Sequence, residues 1–261
     1  EPVRGGFGYA ILKNRVDIPY MACLCRKTET QIICELGERI YQNPSDYDGS
    51  PYSGWETAEE YLSGYVKDKL KIALQFAEHY PDLFQRNVEA LETNQPDPVF
   101  ISDIDFSIGA VYIPEEMYRD FIYETFETPV YYRVNIDIEY SRILKEWRIT
   151  NKSSDNSISV KQVYGTGRIN AYEIMECSLN QKRVRIQDPV SYIDKNGNEA
   201  IKYVLNVAET QIARARQTKI ETEFKNWVLR NSERVSKIEK IYNDRFNNLK
   251  VRKYDGSYIE I

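Results

Sequence analysis

Apolar residues near the start of the chain recur with the spacing of short helices. Residues 18–26 predict a first helix. A second helix begins after a cap at Thr28 or Thr30, and its apolar positions include Ile32 and Leu36. Two short helices joined by a tight turn have the outline of a helix-turn-helix.

The charge of this second helix bears on whether it reads DNA. A recognition helix presents basic or amide side chains to the major groove. Here Glu29, Glu35 and Glu38 face only Arg39 as a counter-charge. The pattern favours structural packing over DNA reading, and both interpretations stay open at this point.

The pattern changes to alternation in the middle of the chain. Residues 100–113 alternate apolar and polar positions, which predicts a half-buried strand with an acidic outer face. Pro114, followed by two glutamates, predicts the start of a helix. Residues 130–138 and 143–150 predict a hairpin because they are rich in β-branched and aromatic residues.

The last third predicts both strands and long helices. Residues 182–186 predict a strand, and Asn196-Gly197 predicts a hairpin turn because Asn-Gly accommodates a positive φ. Residues 207–230 and 232–246 predict two helices that each bury an apolar side. We therefore expect an α+β fold with a helical N-terminal part, a central antiparallel sheet with packed helices, and a C-terminal helical pair.

The expected domain limits follow from these elements. We place the mainly helical part at 1–95, the α+β part at 96–206, and the helical pair at 207–261.

Composition places the chain among ordinary globular proteins, with 42% apolar and 29% charged residues. No apolar run approaches the ~20 residues of a membrane span, and no signal peptide stands at its start, so we expect a cytoplasmic protein. Because the first residue is Glu1 and not Met, we expect a piece of a longer protein. The cysteines lack zinc-ligand spacing, so we expect reduced thiols, no metal and no cofactor.

Charge is distributed unevenly along the chain. Residues 1–150 carry 15 Lys+Arg against 26 Asp+Glu, a net of −11, and residues 151–261 carry 20 against 14, a net of +6. A surface for the phosphate backbone is therefore expected in this second half. The candidate phosphate contacts are Lys182, Arg183, Arg185, Arg214, Arg216, Lys219, Lys237 and Lys240.

Two catalytic signatures are missing from the sequence. A helicase motor needs a Gly-rich phosphate loop ending in Gly-Lys-Ser/Thr, and the nearest cluster, Gly165-Thr166-Gly167, has no such ending. A DNA amino-methyltransferase needs an Asp/Asn-Pro-Pro-Tyr/Phe loop for the flipped base, and Asn43-Pro44-Ser45 lacks the second proline. We expect no catalytic residue in this chain.

One carboxylate pair keeps a further enzyme class open. Asp103 and Asp105 fall on one face of the predicted strand, as metal ligands of a nuclease would. The sequence near this pair shows no clear third carboxylate and lysine, which a nuclease site would also need, so a nuclease ranks last among the functions considered.

Short motifs over most of the chain resemble a known family. They are Glu56-Thr57-Ala58-Glu59-Glu60-Tyr61-Leu62-Ser63-Gly64, Asn87-Val88-Glu89-Ala90-Leu91, Ile108-Gly109-Ala110-Val111-Tyr112-Ile113-Pro114, Tyr164-Gly165-Thr166-Gly167-Arg168-Ile169-Asn170-Ala171-Tyr172 and Tyr254-Asp255-Gly256-Ser257-Tyr258-Ile259. In this order they resemble the region between the catalytic parts of large methylase–helicase (superfamily two) fusion proteins from conjugative elements and phages. The resemblance covers roughly residues 20–261.

The resemblance implies a role between two enzymes. We expect a non-catalytic, DNA-engaging connector whose partners are duplex DNA, bound weakly through the C-terminal third, and the methylase and helicase domains of a parent chain. The alternative is a structural or protein-interaction module without nucleic-acid contact.

Overall fold

The structure is a computed structural model that describes residues 16–193, 195 and 198–252. Helices dominate it, and the strands of the described residues form two-stranded antiparallel sheets. The expected α+β class is confirmed. The chain divides into two compact units: unit 1 comprises residues 1–99 and 242–261, and unit 2 comprises residues 100–241. The three-part division made from the sequence stays a prediction.

Unit 1 begins with two helices and a hairpin. Helix α1 spans Ile18–Cys25 and helix α2 spans Glu29–Leu36. The expected cap at Thr28 is present as a capping box, since its hydroxyl accepts the N–H of Gln31 while the Gln31 side chain accepts the N–H of Thr28. The two helices therefore form where the local capping signals predict them.

A short hairpin closes against these helices. Strand β1 (Ile40–Gln42) pairs antiparallel with β2 (Trp55–Thr57), and residues 43–54 form the loop between them. Helices and hairpin share one apolar core, made of Val16, Ile18, Met21, Ala22, Cys25, Ile32, Leu36 and Ile40. Burying this core requires both elements, because neither short helix is stable alone.

The rest of unit 1 is mostly helical. Its elements are α3 (Ala58–Tyr61), β3 (Gly64–Tyr65), α4 (Val66–His79), α5 (Pro81–Thr93) and, near the end of the chain, β8 (Leu249–Lys250), which pairs with β3. Gly64 has a φ of +75°, which interrupts the helical run after α3. A second apolar core holds these elements together, made of Tyr41, Tyr61, Val66, Ala73, Val88 and Leu91.

Unit 2 places helices around two hairpins. Its elements are α6 (Glu115–Thr125), α7 (Val130–Arg133), β4 (Ile138–Ser141), β5 (Glu146–Ile149), a π-helical turn (Ser159–Val163), α8 (Ala171–Leu179), β6 (Gln187–Ile193), β7 (Glu199–Leu205), α9 (Val207–Leu229) and the start of α10 (Ser232–Phe246). Its core is aromatic, with Tyr118, Phe121 and Phe224 fully buried and in ring contact.

Three strand predictions were wrong. Residues 100–113 hold a 3-10 turn (Ile101–Asp103) and irregular chain, although Ile104, Phe106 and Ile108 are buried as their alternation predicts. Residues 130–133 are helical, and pairing starts only at Ile138. Residues 182–186 are extended but have no partner strand among the described residues. An apolar–polar alternation reports burial, whereas a strand also needs a neighbouring strand.

Two sequence features lie outside the described residues. They are the predicted turn at Asn196-Gly197 and the motif at residues 254–259, although β6 and β7 pair on either side of the turn.

In the part of the chain that the structure describes, no helix is both long and apolar enough to cross a membrane.

Candidate nucleic-acid interface

The basic segment 182–186 is held against helix α9 by side chains. Thr210 accepts the N–H of Ile186 at 3.0 Å, and Arg214 donates from Nε to the carbonyl of Val184 at 3.1 Å. Gln217 accepts the N–H of Val184 at 3.1 Å and donates to the carbonyl of Lys182 at 2.8 Å. Three α9 side chains one helical turn apart therefore replace the neighbouring strand that this segment lacks.

This attachment fixes which side chains face water. Val184 and Ile186 are buried, whereas Lys182, Arg183 and Arg185 are exposed. The expected alternation of basic and apolar positions is therefore present, on an extended segment and not on a strand.

A groove of about 680 Å³ runs beside the segment and along α9. Its lining includes four cations, namely Lys182, Arg183, Arg214 and Lys225. Glu221 is the acidic side chain among its described lining residues, and it accepts a hydrogen bond from Ser178 at 3.1 Å. The groove wall thus has a net positive charge, and its remaining side chains are mostly amides and hydroxyls, which also bind phosphate oxygens.

The four groove cations differ in how far the protein already occupies them. Lys182 contacts Glu146 at 2.8 Å, and this hydrogen bond and charge raise the pKa of Lys182. Arg214 donates from Nε to the carbonyl of Val184, which leaves its two terminal nitrogens to donate to a ligand. The side chains of Arg183 and Lys225 make no hydrogen bond or ion pair with any residue in the described ranges. They are the cations most available to a ligand.

The remaining predicted phosphate contacts do not line the groove: Arg185, Arg216, Lys219, Lys237 and Lys240. Lys219 is engaged within the protein, since it donates to the carbonyl of Val163 at 3.4 Å and lies 4.4 Å from the ring centre of Tyr164. Arg216 follows Arg214 by two positions, and residues two apart on a helix point to different faces. The structure thus brings three of the eight predicted residues together.

Sequence reasoning missed Lys225, although a signal for it exists. Arg214, Thr218, Glu221 and Lys225 follow one another at helical spacing along α9, and all four line the groove. Starting from Arg214 and stepping by three or four residues would have found this face.

The carboxylate pair Asp103 and Asp105 lies elsewhere in unit 2. Asp103 ends a 3-10 turn, so the strand that would have aligned the two side chains is not formed. Within the described ranges, no group of three or more His, Cys, Asp or Glu side chains is placed to hold a metal ion.

The helices and hairpin at the start of unit 1 carry little positive charge. The outward side of α2 presents Thr30, Cys34 and Glu35, and Glu35 pairs with Lys27 at 2.6 Å. The hairpin loop is ordered by its own polar groups, since Gln42 donates to the carbonyls of Ser50 and Ser53 at 3.1 and 2.8 Å. This region therefore consists of two helices joined by a tight turn and followed by a hairpin with an ordered loop.

Comparison with protein families assigns each region separately. The family described as "Probable helicase, winged helix domain" matches residues 12–56, which include α1, α2 and the hairpin. The family described as "Domain of unknown function (DUF8437)" matches residues 107–248. Comparisons with curated proteins and with solved structures give no match.

Neither family description names a catalytic activity, and the winged-helix match associates the chain with helicases. The helix-turn-helix outline drawn from the sequence agrees with that match. Because the second match covers more than half of the sequence, the chain belongs to the DUF8437 family.

Proposed function

We propose that this chain is a non-catalytic, DNA-engaging region associated with a helicase, and that unit 2 holds duplex DNA by its phosphates in the groove beside α9. The observation that carries the proposal is the lining of this groove, with four cations against a single described carboxylate. The family resemblance supports a finer role, in which the region connects a methylase and a helicase in the cytoplasm.

Phosphate binding suits this groove better than the recognition of specific bases. Arg183 and Lys225 are free to replace the counterions that surround a phosphate backbone, and each contact so made releases a counterion. The Arg214 and Gln217 side chains are already bound to the backbone of segment 182–186, so they are rigidly placed. Binding of this kind is independent of DNA sequence and depends strongly on salt.

A mobility-shift titration of the whole chain at several salt concentrations tests the proposal. If the four groove cations each meet a phosphate, the log–log dependence of affinity on salt has a slope of about −3.6. The double variant Arg183→Ala/Lys225→Ala should reduce the magnitude of that slope by about half, to about −1.8, and weaken binding by about tenfold per cation at 0.1 M salt. All DNA sequences should be affected alike.

The chain offers a control with the same change in charge. Lys161 and Lys202 are exposed residues of unit 2 outside the groove lining, so Lys161→Ala/Lys202→Ala should leave the slope unchanged. Equal losses in both double variants would mean that net charge, and not the groove, determines affinity. No binding by the parent chain at low salt would refute DNA engagement altogether.

The charge of the winged-helix region favours a second candidate for unit 1. Its second helix carries Glu29 and Glu35 and no basic residue, which is unsuited to a major groove. This region would then contact protein, as in the alternative of a protein-interaction module. Duplex binding that survives unchanged when Thr30 and Gln31 are replaced by alanine would support this division of roles.

A further inference from the structure

The turn between β4 and β5 exposes two large apolar side chains. Ile143 is 94% exposed and Leu144 is 71% exposed, and they stand between the exposed cations Arg142 and Lys145. Single exposed apolar residues are common on protein surfaces, but two adjacent ones at a hairpin tip form a projecting apolar point. Such a point can be buried only by something outside unit 2.

The hairpin that carries this tip is rigidly braced. On the outer edge of β5, Asn180 accepts the N–H of Trp147 at 2.8 Å and Glu176 accepts the N–H of Ile149 at 2.7 Å. On the outer edge of β4, Glu115 accepts the N–H of Tyr140 at 3.0 Å. The strands that carry the tip are therefore held in place by side chains on both of their outer edges.

The same braces argue against a further strand as the occupant. A strand that joins a sheet must pair with free backbone groups along its edge. In this hairpin, side chains of α6 and α8 already occupy such groups on both edges. The tip itself, and not the strand edge, is the part left for a partner.

The tip adjoins the proposed DNA groove within unit 2. Leu144 and Lys182 line one depression of about 580 Å³, and Lys182 also lines the groove. Glu146, two residues after Leu144, holds Lys182 at 2.8 Å. Groove and tip therefore adjoin through this depression, whose lining also includes the carboxylates Glu139, Glu146 and Glu176, so the positive charge of the tip is its own.

The two cations of the tip favour an anionic partner, and the apolar pair between them favours nucleic acid. Arg142 and Lys145 have no partner in the described ranges, so both cations remain for external anions. Apolar side chains flanked by cations fit a duplex, because base steps accept an apolar wedge while phosphates lie on either side. A polar protein surface would cover the cations but not the apolar point.

We propose that Ile143 and Leu144 insert into the base stack of the duplex held in the groove, while Arg142 and Lys145 contact the flanking phosphates. The proposal rests on the proposed function of the groove. It adds that the bound duplex is locally unstacked, which binding by phosphate contacts alone would not cause.

Fluorescence of a duplex that contains 2-aminopurine tests the insertion on the full 261-residue chain, since this base brightens when it unstacks. Saturation with the parent chain should raise the fluorescence. The variant Ile143→Ala/Leu144→Ala should bind with an unchanged salt slope and leave the fluorescence at the level of the free duplex. The control Val134→Ala/Ile158→Ala removes an exposed apolar pair elsewhere in unit 2 and should keep the rise.

Every other outcome refutes the insertion and shows whether the groove proposal fails with it. Salt-dependent binding without a rise, or a rise that survives in the tip variant, refutes insertion and leaves the groove proposal intact. No binding by the parent chain at low salt removes both proposals. Sedimentation with phosphatidylcholine–phosphatidylserine vesicles that the tip variant alone loses would instead assign the tip to a lipid surface.

Discussion

Replacing Gly109 with alanine should destabilise unit 2 strongly. Gly109 lies in the Ile108–Pro114 motif with a φ of +91°, a conformation that side chains other than glycine rarely adopt. A Cβ placed there would stand 2.2 Å from the carbonyl oxygen and 2.9 Å from the carbonyl carbon of Leu179, at the end of α8. The added methyl group meets backbone, which cannot rotate away as a flexible side chain would.

Two costs set the magnitude. The left-handed conformation costs an alanine about 1–2 kcal/mol, and overpacking of a rigid neighbour costs about 1–3 kcal/mol. The shift would also strain the hydrogen bonds that hold Gly109, from its N–H to the Tyr118 hydroxyl at 3.0 Å and from the Trp147 indole to its carbonyl at 3.2 Å. We expect a loss of about 2–5 kcal/mol in the free energy of unfolding, which lowers Tm by about 10 °C.

Tryptophan fluorescence during thermal unfolding measures this loss. In a Trp55→Phe background the remaining tryptophans, Trp147 and Trp227, both belong to unit 2 and report on it alone. Gly167→Ala is the matched control, because a Cβ there meets nothing within 4 Å and its φ lies outside the left-handed region. It should leave stability unchanged or raise it by up to about 1 kcal/mol.

The comparison of the two glycines can refute the reasoning. If the Gly109→Ala variant had the same Tm as the parent protein, the close approach of residues 108–110 to the end of α8 would not exist in solution. If both variants lost stability equally, loss of glycine in general, and not the contact with Leu179, would be responsible.

Further predictions concern ion pairing, alkaline pH and catalysis. Arg234→Ala should lower the free energy of unfolding in urea by about 1–2 kcal/mol, because Arg234 stacks 3.5 Å from the ring centre of Trp227 and pairs with the half-exposed Glu124 at 2.8 Å. The control is Arg230→Ala at an exposed position, which should lower it by less than about 0.5 kcal/mol. Burial raises the pKa of three tyrosines in the folded state, namely Tyr61, to about 12, Tyr118 and Tyr172. Because the same tyrosines ionise near pH ~10 in the unfolded chain, their contribution to stability should be fully present below pH ~10 and be lost as the pH rises above it. Absorbance of tyrosinate should show them titrating only as the protein unfolds, and their normal titration in a folded chain would contradict this burial. A purified chain should neither hydrolyse ATP nor methylate DNA, and DNA-stimulated ATPase that a point change within the chain abolishes would prove this wrong.

The sequence by itself determined the elements that depend on local chemistry. The cap at Thr28 and the helices over 207–229 and 232–246 all follow from residues within one or two turns of each other. The same local signals predict the helix-turn-helix outline, which the winged-helix match supports. Uneven charge along the chain predicts phosphate contacts in its second half, and most residues that line the groove belong to that half.

Only the tertiary structure decided how extended segments are partnered. Segment 182–186 has the alternation of a strand, but Thr210, Arg214 and Gln217 on α9 satisfy its backbone in place of a second strand. The groove likewise depends on α9 and this segment lying side by side, which selects Lys225 and leaves out Arg216. Alternation and charge report the environment of single residues, whereas a groove and a backbone partner arise from contacts between residues about 30 positions apart, which no local pattern encodes.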